Sequence, residues 1–265
     1  MIGKYQLKKL WKQLEMSIKF RHKIILGVRV DDINLNQTID FINAALNENS
    51  CRQIATVNPE FIVEAQKNEQ FCQTLKNSDL NINDSIGIKI FGRLKNRIPG
   101  ADLIFHLFEL SFQKKLSFYF LGGSGNTAIK GAQLIKDKYP NLEIKGAENG
   151  GIIDTNKLIN TKDIIARINK VEPDILLVAF GHPKQDIFID FWKENIKTKI
   201  AIGVGGSLDY IVKSQIRAPK FLRKLGLEWF WRLTLEPKTR WRRIVNAVWI
   251  FPKTYIQTAF KNRLK

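Results

Sequence analysis

Short apolar runs alternate with segments of helical length through the middle of this chain. The apolar runs predict strands at residues 24–30, 52–57, 79–82, 117–121, 141–146, 174–180 and 199–204. Segments that are long enough for a helix separate most of them. Because alternating β and α units form a sheet of mainly parallel strands with helices on both faces, the pattern predicts an α/β fold.

Polar and glycine residues follow the predicted strands. These segments span residues 56–60, 83–87, 122–127, 181–186 and 203–209, and residues 97–102 form another one after a basic helix. Ligands of open α/β sheets bind at the carboxyl ends of the strands. We therefore expect these segments to meet at one edge of the sheet and to form a binding site.

Two of the segments, Gly122 to Thr127 and Gly203 to Gly206, are rich in glycine. Glycines before a helix let backbone N–H groups approach an anion, and the helix N-terminus favours negative charge. Two neighbouring loops of this kind could hold the two halves of a nucleotide diphosphate, although a tight structural turn would use the same residues. Neither loop matches the dinucleotide-binding or the P-loop fingerprint, so NAD and ATP are poorly supported.

Asp84 is the strongest candidate for chemistry, because a carboxylate at a strand end can act as general base toward a substrate hydroxyl. The alternative is that Asp84 caps the following helix, and Thr56 and Asn58 have the same two interpretations. Gln185 lies in a segment whose donors suit a sugar or a phosphate. His182 is one of three histidines, and none is spaced with a second ligand, so we expect no metal site.

The composition is that of a globular protein, with 44% hydrophobic residues in a chain of 265. Its two cysteines, Cys51 and Cys72, cannot supply a disulfide framework, which favours a reducing compartment. No run approaches 18 apolar residues, and lysines interrupt the apolar positions near the N-terminus. We expect neither a signal peptide nor a membrane-spanning helix.

The formal net charge of +18 is concentrated at the two ends of the chain. Residues 1–30 carry eight Lys or Arg against one Asp or Glu, residues 31–212 carry 21 against 22, and residues 213–265 carry 14 against two. Both cationic ends also contain large apolar side chains, such as Trp11 and Trp249. Nucleic acid and an anionic membrane surface would each attract such ends.

The N-terminal end has the periodicity of a surface-lying helix. Lysines flank an apolar stripe that consists of Leu7, Leu10, Trp11, Leu14 and Ile18. Basic side chains beside an anionic leaflet contribute roughly 1 kcal/mol each. The apolar groups of either end could instead pack on the protein's own core or on another subunit. The chain thus divides into an amphipathic basic helix (1–22), a core (23–212) and a basic, aromatic-rich appendage (213–265).

A set of motifs resembles the WecG/TagA/CpsF glycosyltransferases, glycosyltransferase family 26. In order from about Ile25 to Arg243 they read T-x-N-x-E, D-x-x-G, R-x-x-G-x-D-L, L-G-G, G-x-P-K-Q-[DE], G-V-G-G-x-x-D and R-A-P-x-x-x-x-x-x-G-L-E-W-x-x-R-L…E-P-x-x-x-x-R. Each motif alone is a weak signal. Seven motifs in one order make chance an implausible account.

The resemblance implies a Rossmann-like core with a helical, basic C-terminal appendage that associates with the membrane. Family members transfer a sugar, with inversion, from a UDP donor to an undecaprenyl-diphosphate-linked sugar in cell-wall, teichoic acid or surface-polysaccharide synthesis. The sugar is N-acetylmannosamine in the best-known activity, and N-acetylmannosaminuronic acid or glucose in relatives. The implied location is cytoplasmic, attached peripherally to the inner face of the bacterial cell membrane.

The resemblance also implies roles for particular residues. Asp84 matches the proposed catalytic base, Thr56, Asn58 and Arg97 match residues of the acceptor and sugar pocket, and Gln185 and Asp209 match polar residues of the nucleotide-sugar site. The remaining residues that we expect at the UDP-sugar site are Gly122, Gly123, Gly181, Pro183, Lys184, Gly203, Gly205 and Gly206. The candidates that would close over the site and meet the diphosphate are Arg217, Arg232, Arg240 and Arg243.

The residues present suggest that transfer needs no metal and no other cofactor. No Asp-x-Asp pair occurs to hold a metal-bound diphosphate, and arginine can replace the metal because its planar fork meets two phosphate oxygens. Two positions depart from the family pattern: Ser85 stands where glycine is common, and Pro99 replaces a threonine. A serine would be strained if that position required a positive φ.

Two other classes of protein remain as alternatives at this stage. A nucleic-acid-binding protein would explain the charge, but it would explain neither the neutral middle nor the glycine loops. A non-catalytic scaffold of envelope assembly would keep the fold, yet the retained Asp84, Thr56, Gln185 and Asp209 argue against it. We therefore expect a UDP-sugar, a lipid-linked acceptor and a membrane surface as partners, no nucleic acid, and leave a homo-oligomer open.

Overall fold

The computed structural model describes residues 20–206, the single positions 208, 212, 219, 221 and 222, and the helical segments 228–235 and 237–263. Within this part of the chain, strands form one sheet in the order β1-β2-β4-β3-β8-β7-β5-β6. The strands are β1 (His22–Ile25), β2 (Val28–Asp31), β3 (Arg52–Val57), β4 (Leu80–Asn83), β5 (Ser117–Gly122), β6 (Glu143–Glu148), β7 (Ile175–Ala179) and β8 (Ile200–Gly203). All neighbours pair in parallel except β1 and β2, which confirms the α/β fold.

Helices cover both faces of the sheet. Those of the core are α1 (Leu35–Ala45), α2 (Pro59–Ala65), α3 (Glu69–Asn77), α4 (Ile86–Phe91), α5 (Gly100–Lys114), α6 (Thr127–Lys138), a 3-10 turn (Leu158–Thr161), α7 (Lys162–Val171) and α8 (Lys184–Trp192). The C-terminal segment contains α9 (Glu228–Leu235), α10 (Pro237–Val245), a π-helical turn (Asn246–Ile250) and α11 (Phe251–Arg263). The described part of the chain thus has helices in its C-terminal segment, whereas the division into a core and a separate appendage stays a prediction.

The sequence prediction of one strand at residues 24–30 is wrong. The chain reverses at Leu26 and Gly27, which both have positive φ values (49° and 80°), so that Ile25 pairs with Val28 across a two-residue hairpin. A two-residue turn with two positive φ values matches the twist of antiparallel strands. Glycine adopts this backbone easily, but the apolar run on both sides hid the reversal.

The sheet is buried on both faces, which explains why its central strands are continuous apolar runs. On β7, Leu176 and Val178 belong to the apolar cluster on one face, whereas Ile175 and Leu177 belong to the cluster on the other. Successive side chains of a strand point to opposite faces, and parallel strands covered by helices need apolar groups on both. This packing fixes which strand ends lie side by side.

The C-terminal helices pack on the core through an aromatic cluster. Phe251 at the start of α11 is 0% exposed, and its ring centroid lies 5.5 Å from that of Phe91 on α4. Tyr255, one turn further, also lies 5.5 Å from Phe91. Phe91 is the last residue of α4, which begins two residues after Asp84, so the C-terminal segment packs on the helix that follows the predicted catalytic carboxylate.

Both ends of the chain were predicted to contact a membrane, and only part of them is described. Residues 1–19 lie outside the described residues, while Phe20 packs edge-on against Phe41 of α1. Trp249 and Phe260 of the C-terminal segment are 72% and 63% exposed. Among the helices that the structure describes, none combines the length and the apolar character that crossing a bilayer requires.

We expect Phe251→Ala to lower the free energy of unfolding by about 3–5 kcal/mol, because it removes a fully buried ring from the cluster with Phe91 and Tyr255. The matched control is Phe260→Ala on the same helix, where an exposed ring is lost and the change should stay within about 0.5 kcal/mol. Urea denaturation measures both values. Equal stability of the two variants would show that the cluster does not hold the C-terminal helices.

Candidate active site

The carboxyl ends of β5, β6, β7 and β8 surround a cavity of about 470 Å³. The residues that line it are Gly123, Ser124, Asn149, Gly151, Ile152, Ile153, Ala179, Phe180, Gly181, Lys184, Gly205 and Gly206. Five of the residues predicted to bind the UDP-sugar, Gly123, Gly181, Lys184, Gly205 and Gly206, are therefore brought together. Open α/β sheets bind ligands at this edge.

The loop after β5 needs glycine for a structural reason. Gly122 has a φ of 103°, and a Cβ atom on it would lie 2.8 Å from the carbonyl carbon of Ala179 on β7. The next residue, Gly123, donates its backbone N–H to the carbonyl oxygen of Ala179 over 2.9 Å. This close approach ties the loop to β7 and leaves its outer side facing the cavity. The structural and the binding interpretation of these glycines are thus compatible.

The segment after β7 places a cation at the cavity. Gly181 has a φ of 76°, and the peptide bond between His182 and Pro183 is cis. Pro183 directly precedes α8, whose first residue, Lys184, is exposed and lines the cavity. An ammonium group at this position would attract a phosphate.

Gln185 supports the neighbouring glycine loop. It is 1% exposed, and its Oε1 accepts a hydrogen bond of 2.8 Å from the backbone N–H of Gly205. The cavity-lining Gly205 and Gly206 are therefore held in place by a side chain from α8. We assign Gln185 to the support of the cavity wall, on the evidence of this bond.

Thr56 joins the ends of β3 and β8. Its side chain is buried, and Oγ1 donates a hydrogen bond of 3.0 Å to the carbonyl oxygen of Gly203. A Cβ atom on Gly100, the first residue of α5, would lie 3.0 Å from Cγ2 of Thr56. Thr56 therefore occupies the point where β3, β8 and α5 meet.

The sequence left open whether Asn58 and Asp84 cap the helices that directly follow them, and the structure gives a different answer for each. Asn58 is the N-cap of α2, because its Oδ1 accepts from the backbone N–H groups of Glu60 and Phe61 over 2.9 and 3.3 Å. Asp84 does not cap α4. Ser85 does so, with its Oγ 3.1 Å from the N–H of Gly87, and its φ of −121° shows that this position needs no glycine.

Asp84 instead contacts the beginning of a different helix. Its Oδ1 accepts a hydrogen bond of 2.9 Å from the backbone N–H of Gly100, while its own N–H donates to the carbonyl of Val57 over 2.9 Å. Pro99 stands at the N-cap of α5 and gives no side-chain cap. The carboxylate of Asp84 thus satisfies an amide at the N-terminus of a 15-residue helix.

The loop before α5 is attached to the end of β4. The backbone N–H of Ile98 donates to the carbonyl of Asn83 over 2.8 Å, and Nδ2 of Asn83 donates to the carbonyl of Asn96 over 2.9 Å. Arg97, which lies between these two contacts, is half-buried. The backbone of Arg97 therefore lies near the end of β4, which is compatible with the predicted place of Arg97 beside the acceptor pocket.

The remaining predicted residues fall in the C-terminal part. Asp209 and Arg217 lie outside the described residues. Arg232 is on α9, and Arg240 and Arg243 are on α10, but their side chains are outside the description as well.

Sequence reasoning missed two features of the site. The loop 149–153 follows β6 and lines the cavity, but the predicted strand at 141–146 ended two residues too early for this loop to be recognised. Asp186 was not singled out, although it belongs to the same motif as Gln185. Its side chain is 0% exposed, and burial raises the pKa of the carboxyl group to about 7.

The described part of the chain offers no cluster of metal-ligating side chains. There, no three His, Cys, Asp or Glu side chains lie close enough together to hold an ion. The residues with polar side chains around the cavity are Ser124, Asn149 and Lys184, beside the backbone of the glycine loops.

The family model described as "Glycosyl transferase WecG/TagA/CpsF family" matches residues 23–265. A protein of Bacillus subtilis (strain 168) is 34% identical over 220 residues, which cover 80% of this chain and 83% of the relative. One from Bacillus spizizenii is 32% identical over 206 residues, covering 76% and 77%. One from Staphylococcus aureus (strain MRSA252) is 28% identical over 227 residues, covering 83% and 85%. All three are named N-acetylglucosaminyldiphosphoundecaprenol N-acetyl-beta-D-mannosaminyltransferase.

The matched region includes every strand and helix around the cavity, and of the described strands it leaves out only the first residue of β1, at the opposite edge of the sheet. The fold, the order of the motifs and the position of the polar residues at one sheet edge agree with this match. The chain belongs to the WecG/TagA/CpsF family of glycosyl transferases.

Proposed function

We propose that this protein transfers N-acetylmannosamine from a UDP donor to N-acetylglucosamine that is linked to undecaprenyl diphosphate. The names of its relatives support this acceptor and this sugar. The observation that carries the proposal is the position of Asp84, whose carboxylate is fixed by the N–H of Gly100 at the sheet edge that also bears the glycine-lined cavity.

In the proposed reaction, Asp84 acts as the general base. It removes the proton from the acceptor hydroxyl while the hydroxyl oxygen attacks the anomeric carbon of the donor sugar. A new C–O bond forms on one face of the sugar ring, and the bond to the UDP oxygen breaks on the other face. The configuration at the anomeric carbon is therefore inverted, and the electron pair leaves with UDP.

The leaving diphosphate gains negative charge, which the protein must stabilise. Backbone amides of the glycine loops and the ammonium group of Lys184 lie around the cavity. Arginines of the C-terminal segment would add bidentate hydrogen bonds, and the candidates are Arg217, Arg232, Arg240 and Arg243. Because such fixed donors replace the charge of a metal ion, we propose transfer without a metal.

The acceptor stays in the membrane, so the enzyme needs reversible attachment to the inner leaflet. Exposed Trp249 and Phe260 lie in a C-terminal region that carries 14 Lys or Arg against two Asp or Glu. Aromatic rings and basic groups together bind anionic membrane surfaces. We propose peripheral attachment through this surface and through the basic N-terminal segment.

We expect Asp84→Asn to lower the rate of transfer at least 100-fold, because an amide cannot accept the proton. The amide oxygen still accepts the hydrogen bond from Gly100, so α5 keeps its cap. The assay offers a panel of UDP-sugars together with a lipid-diphosphate acceptor analogue, and the product is identified by its mass. Asp137→Asn, an exposed position on α6, is the control with full activity; equal rates for both variants would refute Asp84 as the base.

We expect the transfer rate to persist within a factor of two in the presence of excess EDTA. Fixed amides, Lys184 and arginines stabilise the leaving diphosphate in our proposal, so that chelation removes nothing from the site. The assay compares EDTA-treated enzyme with enzyme supplied with Mg²⁺. Loss of activity on chelation, restored by adding the metal, would reject this part of the mechanism.

We expect neutralisation of six basic residues to release the protein from anionic vesicles in a sedimentation assay, because each contact contributes roughly 1 kcal/mol. The residues are Lys8, Lys9, Lys12, Arg240, Arg242 and Arg243. The control neutralises six exposed lysines of the core with the same change in net charge, namely Lys76, Lys130, Lys136, Lys157, Lys162 and Lys170. Release of both variants to the same extent would show that net charge, rather than this surface, determines binding.

A further inference from the structure

A buried polar pocket lies beneath the glycine loop that follows β8. Its members are Gln53 of β3 and Gln185 and Asp186 of α8, all at most 1% exposed. Nε2 of Gln53 donates to the backbone carbonyl of Asp186 over 3.0 Å. Among the described residues, neither carboxylate oxygen of Asp186 has a hydrogen-bond partner, and Oε1 of Gln53 has none either.

The Asp186 carboxyl group packs directly under the cavity wall. A Cβ atom on Gly203 would lie 2.7 Å from Oδ1 of Asp186 and 2.5 Å from Nε2 of Gln185. Both side chains therefore converge on the backbone of Gly203, two residues before the cavity-lining Gly205. Because Gln185 also binds the N–H of Gly205, any movement of this pocket would displace the loop.

The surroundings of Asp186 are nearly free of charge. Gln53 from β3 and Gly203 from β8 are not titratable. On its own helix the neighbouring ionisable residues are Lys184, at the cavity, and Asp190, which bonds Thr74 and Asn77 of α3. Nearer the end of α8, Lys193 pairs with Asp79.

The protonation of Asp186 follows from these surroundings. Burial raises the pKa of Asp186 to about 7, and the Gln185 side chain and its own backbone amide offset this only in part. An ionised carboxylate here would be a buried charge with no cation beside it in the described part of the chain, and the polar contacts from Gln185 and its own amide are too weak to meet the hydrogen-bond geometry, so ionisation is unfavourable.

We propose that Asp186 is a positioning residue that couples donor binding to a proton, so that the donor diphosphate binds only when this carboxyl group is neutral. The neutral group supports Gln185 and Gly203 without repelling the anion above the loop. The ionised group would repel the diphosphate through a medium of low dielectric and would disturb the loop that holds it. The identity of the anion rests on the function proposed above.

The sign of the pH dependence follows from linkage. Below pH 7 Asp186 is neutral in the free protein, and donor affinity is independent of its titration. Above pH 7 the free protein loses this proton and must regain it to bind. Affinity should therefore fall up to about tenfold for each pH unit above 7, and binding should take up close to one proton per donor.

The test measures the affinity of UDP by calorimetry between pH 6 and pH 9. Each titration is repeated in two buffers of different ionisation enthalpy, which gives the number of protons taken up. Wild type is compared with Asp186→Asn, which is neutral at every pH, and with Asp190→Asn, the matched control one turn away on the same helix. The phosphate of UDP itself titrates near pH 6, equally for all three proteins.

Wild type and Asp190→Asn should lose affinity above pH 7, whereas Asp186→Asn should keep it and take up no proton. The same pH profile in all three proteins would overturn the coupling while leaving UDP as the donor nucleotide. Absence of UDP binding in every variant would refute the proposed donor, and the coupling with it. If Asp186→Asn does not fold, the proton uptake of the wild type at pH 8.5, where UDP is fully ionised, is the deciding measurement. An uptake close to one proton per UDP supports the proposal, and an uptake of zero overturns it.

Discussion

The site depends on the close approach of three parallel strands at Gly203. This residue pairs with Ala55 on β3 and with Val178 on β7, its carbonyl accepts from Thr56, and the side chains of α8 press against its Cα. A Cβ atom there would force the side chains of Gln185 and Asp186 to move. Because the sheet is buried on both faces, its strands have little room to shift, so the geometry of the glycine-lined cavity is set by packing of the core.

The carboxylate of Asp84 has both a structural role and a proposed chemical role. Its bond to Gly100 provides the cap that Pro99 cannot give to α5, which holds the carboxylate at a defined angle above the sheet edge. A general base must be held in place during the reaction, and the bond from Gly100 does this for Asp84 in the proposed mechanism. Asp84 therefore supplies the helix cap that Pro99 lacks, and Ser85 caps α4.

Periodicity alone predicted the sheet, the helices between most of its strands and the edge that carries the polar segments, because alternation and strand-end chemistry are local properties. It missed the hairpin at Leu26 and Gly27, since apolar residues on both sides concealed a turn that only backbone angles reveal. Capping was equally ambiguous: Asn58 caps its own helix, whereas Asp84 caps one that begins 16 residues later. Asp186 could not be recognised because its importance arises from burial beneath a loop 17 residues away in sequence.

The aromatic cluster links the C-terminal segment, which we propose to contact the membrane, to the helix that follows Asp84. Phe251 and Tyr255 pack on Phe91 at the end of α4, and α4 starts directly after Asp84 and its neighbour Ser85. The helix spans six residues, so its two ends lie about 9 Å apart. A lipid-linked acceptor approaches from the membrane, so a C-terminal segment docked on α4 would present its basic surface and the base Asp84 from one side of the molecule. The tertiary contact at Phe91, rather than the flanking charge alone, would then determine where the bilayer lies relative to the reacting hydroxyl.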